Sequence, residues 1–116
     1  MPSQVQATVR EVPPLTIIDL EGEVTTFAEK PVQTAYRQAS EQGAKHILLN
    51  FKEVEYINSA GIAVIIGVLT EARKSDQELM ITGLTAHYTK IFQMMGLSQY
   101  APLVESEDAA LQEVAR

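Results

Sequence analysis

A chain of 116 residues has room for one domain with one real core, so a single domain over residues 1–116 is expected. Hydrophobic residues at 46% and charged residues at 21% are globular values, and a net charge of −6 disfavours nucleic acid or an anionic membrane surface as the main partner. The lack of cysteine excludes disulfides and thiolate metal sites.

The longest apolar run, Gly61 to Leu69, is far shorter than the roughly 20 residues that span a bilayer. No signal-peptide pattern opens the chain, and a soluble cytoplasmic protein is expected. Val5 to Glu11 alternates weakly with period two until Pro13-Pro14 interrupts it. Leu15 to Leu20 is rich in β-branched residues and reads as a strand stopped by Glu21-Gly22. The two form a pair, with the first on or near a sheet edge.

Val32, Ala35, Tyr36 and Ala39 fall on one helical face, and Gly43 stands where a left-handed C-terminal residue belongs. Thr26 and Glu29 match a capping box, but Pro31 fits only a first turn, so regular helix is predicted from about Glu29. His46 to Phe51 reads as a central strand buried on both faces, followed by a charged loop from Lys52 to Tyr56 anchored by Val54. After a second helix ending near Lys74 come a strand at Glu78 to Thr82 and a third helix capped by Thr85. Its apolar stripe is Tyr88, Ile91, Phe92 and Met95, and Gly96 stops it. Ala101 to Val104 reads as a short last strand. Ser106 caps a final helix with Ala110, Leu111 and Val114 inside and with Glu107 and Asp108 complementing the dipole in its first turn. The order β-β-α-β-α-β-α-β-α predicts an α/β domain, with a mixed, mostly parallel sheet of about five strands and about four helices.

The second helix departs from this ordinary pattern. Ile62, Ile65, Ile66 and Leu69 cluster on one side and should face the sheet. The other side carries Ala60, Val64, Gly67 and Glu71, flanked by Ala63 and Val68, where a solvated face would carry Lys, Glu, Gln and Arg. Gly67 in mid-helix costs ~1 kcal/mol relative to Ala, which makes sense if another backbone approaches closely. The plainer alternative is that another part of the chain covers this face.

Tyr56-Ile57-Asn58-Ser59-Ala60-Gly61 leads into the same helix. Asn58 and Ser59 are both good N-caps, and a hydroxyl at the positive end of a helix dipole tolerates added negative charge. Phosphate on Ser59 would add about −1.5 to −2 charges beside the small apolar face, repelling anything docked there while leaving the fold intact.

These residues are familiar as a set. The stretch His46-Ile47-Leu48-Leu49-Asn50, Val54 and Tyr56-Ile57-Asn58-Ser59-Ala60-Gly61-Ile62-Ala63-Val64 resembles the STAS domain of bacterial anti-sigma factor antagonists. So do Leu20-Glu21-Gly22-Glu23-Val24 before it and Ile81-Thr82-Gly83-Leu84, Ile91-Phe92 and Met95-Gly96-Leu97 after it. The resemblance implies a binding protein that docks on an anti-sigma factor, itself an ATP-using serine kinase, and so frees a sigma factor. The kinase would end docking by phosphorylating the serine that corresponds to Ser59, and a serine phosphatase would reset it.

The expected partner-binding residues are Thr25, Ala60, Ala63, Val64, Gly67 and Val68, with Asn58, Ala60 and Gly61 forming the phospho-site turn. No cofactor, metal, nucleic acid or membrane insertion is expected, and the protein should be a monomer or weak dimer. The family turn usually reads Asp-Ser-Ser/Thr-Gly, whereas Asn58 and Ala60 stand here, and Thr25 stands where Asp is common. Ala60 leaves Ser59 the only hydroxyl in the turn, whereas Asn58 and Thr25 favour an alternative, a STAS-type subunit of a signalling scaffold or lipid-transport complex that is never phosphorylated. An enzyme is disfavoured: Ile57 stands where a nucleophile elbow needs Gly, and no phosphate-cradling or metal-ligand spacing is present. His46 and His87 read as structural or exposed.

Overall fold

The computed structural model describes residues 5–115; residues 1–4 and 116 of the expected domain lie outside them. Strands β1 (Gln6–Val12) and β2 (Leu15–Val24) flank the Pro13-Pro14 turn and pair antiparallel, with Val12 opposite Leu15. A 3-10 turn, Thr26–Ala28, leads into α1 (Glu29–Glu41). Then follow β3 (His46–Ile57), α2 (Ser59–Lys74), β4 (Glu78–Thr82) and α3 (Ala86–Met94). A second 3-10 turn, Leu97–Gln99, precedes α4 (Glu107–Val114). The sheet order is β1-β2-β3-β4, and β2, β3 and β4 run parallel. Parallel neighbours need crossover connections, which α1 and α2 supply.

The class is the predicted α/β, but among the described residues the sheet has four strands in place of about five. Ala101 to Val104 makes only one bridge, Leu103 to Ile81. Ile81 N–H donates to the Pro102 carbonyl at 2.9 Å, and Val104 N–H to the Ile81 carbonyl at 2.8 Å. Pro102 has no N–H with which to lengthen a ladder, and the Ser106 cap turns the chain into α4 soon after.

The Lys52 to Tyr56 segment, expected as a loop, is strand. It continues β3 beside a β2 that itself runs past Gly22 to Val24. The register explains the misreading: Asp19 faces Asn50 but Glu21 faces Glu53, and Gly22 faces Val54 but Glu23 faces Tyr56. Two extra residues on β3 are thus bulged out, so the buried positions Phe51, Val54 and Ile57 recur every three residues instead of every two. Alternation is erased where the strand is most needed.

Two cores lie on opposite faces of the sheet. Ile18, Leu20, Leu49, Phe51 and Ile81 pack under Val32 and Ala35 of α1, Ile62 and Ile65 of α2 and Phe92 of α3. The Phe51 and Phe92 rings meet edge to face with centroids 6.0 Å apart. Leu15, Ile17, Leu48 and Met80 form the smaller core, closed by Ala110 of α4 with Leu111 and Val114 partly buried beside it. The C-terminal helix therefore sits across the sheet from α2. Met95, expected in the α3 stripe, is 49% exposed because it is the C-cap, past the last helical turn.

Beyond the smaller core this face turns polar. The Arg10 guanidinium binds both Asp19 carboxylate oxygens and, through Nη2, Glu107 Oε1 of α4 at 2.9 Å; Asn50 Nδ2 donates to Asp19 Oδ1 at 2.8 Å. Hydrogen bonds from Arg10 hold the Asp19 carboxyl below the ordinary carboxylate range, against a smaller opposing effect of burial and with help from Asn50.

Candidate docking site and phosphoacceptor turn

The site is built where β2 and β3 end side by side. Val24 pairs with Ile57, and the Val24 carbonyl accepts from Asn58 N–H at 3.2 Å, so the two strand ends close together. Asn58 is the N-cap of α2: its backbone is extended and its Oδ1 accepts from Gly61 N–H at 2.8 Å. Ser59 is therefore the first helical residue and not the cap. Its side chain is exposed. With Gly61 N–H bonded to the cap, the Ser59 and Ala60 N–H groups lack intrahelical partners and point out of the helix end.

Gly61 is buried against the end of β2. A Cβ there would lie 1.8 Å from the Val24 carbonyl oxygen, so no other residue fits without moving one of the two elements. The glycine is thus a packing requirement and not merely an open stretch of backbone. On the other side of the turn, Ile57 N–H donates to the Tyr88 hydroxyl of α3 at 3.0 Å. Thr25, one residue past Val24, is half-buried, and its Oγ1 accepts from Phe27 N–H at 3.3 Å, capping the first 3-10 turn.

That turn packs beside α2 and carries Phe27, which is 71% exposed. Along α2 itself, Ala60, Ala63 and Gly67 are exposed and Val64 is half-buried. A Cβ added at Gly67 meets nothing within 4 Å, because the glycine opens onto a cavity shared with Gln33 and Arg37 of α1. No charged residue occurs between Glu55 and Glu71, so α2 itself carries no charge from Ser59 to Thr70; Glu71 and Arg37 of α1 line the cavity beside Gly67.

Val68 does not belong to this surface. It was expected at the flank of the outer side, yet it is 2% exposed and packs in the larger core. Ile66, expected against the sheet, is only partly buried. Both shifts have one cause: the core-facing arc of α2 is centred on Ile65, Val68, Leu69 and Ala72, rotated from the arc that Ile62, Ile65, Ile66 and Leu69 implied. α2 leans on α1 as well as on the sheet.

The structure brings Thr25, Asn58, Ser59, Ala60 and Gly61 to one corner, with Ala63, Val64 and Gly67 running away from it along α2. Sequence reasoning missed Phe27 and Tyr88. Phe27 could have been noticed as an isolated aromatic among polar neighbours with no helical partner. Tyr88 lay in an apolar stripe, and nothing local signals that its hydroxyl reaches another element. Neither histidine lies in the turn: His46 pairs with Glu78 at the opposite end of β3, and exposed His87 packs its ring edge to face on Tyr88. Among the described residues no group of three or more His, Cys, Asp or Glu could hold a metal, and no helix is long and apolar enough to cross a membrane.

A mixed sheet with a capped, serine-led helix at its parallel edge is the architecture of the STAS domain, and the STAS family model matches residues 6–110. The chain belongs to the STAS domain family. Among its relatives is the anti-sigma-B factor antagonist of Staphylococcus aureus, 25% identical over 76 residues that cover 66% of this chain and 70% of that protein. In fold it is similar to an anti-sigma factor antagonist from Mycobacterium paratuberculosis, with a TM-score of 0.84 at 16% identity, covering 100% of this chain and 98% of that one. It is also similar to the Bacillus cell fate determinant SpoIIAA in its phosphorylated form, with a TM-score of 0.71 at 23% identity, covering 93% of this chain and 98% of that one.

Proposed function

We propose that this chain is an anti-sigma factor antagonist. It docks on an anti-sigma factor that is also a serine kinase, releases a sigma factor, and is switched off when Ser59 is phosphorylated and on again by a serine phosphatase. The reading rests on one observation above all: an exposed hydroxyl at the first residue of α2 borders a helix face on which the small residues Ala60, Ala63 and Gly67 are exposed. The partner would meet Thr25, Phe27, Ala60, Ala63, Val64 and Gly67. Family membership supports the same conclusion, as does the existence of a structural relative, SpoIIAA, in a phosphorylated form.

A phosphoryl group on Ser59 gains the unpartnered N–H groups of the helix end, so the fold tolerates it. The partner faces new bulk and charge that must be desolvated, a penalty of ~2–3 kcal/mol, which weakens binding about 30- to 150-fold. Affinity capture from native lysate with Ser59→Ala and Ser59→Asp baits tests this. The Ala bait should retain an anti-sigma factor and the Asp bait should lose it; equal capture removes the switch.

The second reading is a STAS-type subunit of a scaffold or transport complex that binds constitutively. Asn58 and Thr25, which each replace an acid of the usual pattern, favour it. It predicts no phosphate on Ser59 in protein purified from growing cells, read by intact-mass spectrometry.

A further inference from the structure

We infer that Tyr88 is a positioning residue for the Ser59 turn, acting through its phenolic oxygen. This rests on the reading of Ser59 as the switched residue of the docking site. β4 ends at Thr82, which pairs with Asn50, so among the described residues β3 has no strand on its β4 side from Phe51 onward. Asn58 N–H is directed to β2, where it meets the Val24 carbonyl, and the preceding Ile57 N–H points the opposite way, to the unpaired side. Ile57 is 4% exposed, so this donor cannot turn to bulk water. The Tyr88 hydroxyl, reaching from the first turn of α3, accepts from it at 3.0 Å.

Two consecutive backbone N–H groups thus clamp the end of β3 from both sides, one to β2 and one to α3, directly before the serine. The Tyr88 clamp is itself built in: Thr85 Oγ1 caps α3 by accepting from Tyr88 N–H at 3.3 Å, and the His87 ring lies against the Tyr88 ring at 5.0 Å. The Asn58 side chain fixes the helix start relative to its own first turn and its N–H ties the turn to β2; Tyr88 adds the tie to α3.

The Tyr88→Phe variant keeps the ring and removes the acceptor, so amide hydrogen exchange of the whole chain separates positioning from packing. The amides of Ile57, Asn58 and Gly61 should exchange at least about ten-fold faster than in the parent protein, while those of Leu48 and Leu49 stay within about two-fold. Parent-like protection at the turn overturns the inference, as does equal loosening at Leu48 and Leu49, which marks Tyr88 as a general packing residue. Exchange is read without a partner. If the Ala and Asp baits at position 59 capture alike but the turn loosens as stated, the docking reading falls and the positioning role stands.

Discussion

The starts of α2 and α4 are built alike and charged differently. Each helix is capped by a side-chain oxygen that accepts from the N–H three residues on: Asn58 from Gly61 at 2.8 Å, Ser106 from Ala109 at 3.0 Å. At α4 the first turn carries Glu107 and Asp108, so its positive end is already neutralised, and Glu107 is tied to Arg10 of β1 on the same face of the sheet. At α2 the first turn holds no acid and displays Ser59 instead. One helix end is neutralised by its own chain; the other has no acid in its first turn and, under the proposed function, gains its negative charge as a phosphate on Ser59. The difference separates a structural cap from one suited to a switch.

The third position shows a second difference. Gly61→Ala drives a methyl into the Val24 carbonyl, and a loss of about 3 kcal/mol, the upper end for overpacking, is expected in urea denaturation. Ala109→Gly at the matching position of α4 should lose no more than ~1 kcal/mol, from helix propensity alone. Similar losses at the two positions would mean that α2 does not start against β2 as described.

Gly67→Ala has the opposite sign. With open space around it, an added methyl should raise stability by ~1 kcal/mol in the same assay. Under the proposed function it should also weaken partner capture, because the small surface is what the partner packs on. Stabilisation with unchanged capture would exclude Gly67 from the contact.

Acid should distinguish the two helix starts next. The Asp19 carboxyl is held below its ordinary value by Arg10, so its contribution is fully present above the unfolded pKa of about 3.9 and is lost as pH falls through the lower folded pKa. The pair is partly exposed and is worth no more than about 1 kcal/mol. Below pH 4, as protonated Asp19 releases Arg10, amides of β1 and of the α4 start that Arg10 holds should lose protection before those of the α2 start, which contacts neither residue; Arg10→Ala should abolish that order.

Much of this site is legible in the sequence, because caps and helical faces are local. Asn58, Ser59 and the uncharged run to Thr70 announce a bare helix start, and the small side chains at Ala60, Ala63 and Gly67 announce a face without solvating charges. What was hidden depends on register and rotation. The two bulges that stretch β3 turned Phe51, Val54 and Ile57 into a three-residue repeat, which reads as loop. Val68 was misplaced because contact with α1 turns α2 about its axis, and helical periodicity fixes an arc but not its centre. Tyr88 and Val24 meet the turn across long separations in sequence, and no spacing rule reports such contacts.

The most direct test is a titration of the chain, with Ser59 either free or fully phosphorylated, against the anti-sigma factor retained by the Ser59→Ala bait. The account predicts a dissociation constant about 30- to 150-fold larger for the phosphorylated form, with amide exchange of the core unchanged between the two. Equal affinities for the two forms would contradict it.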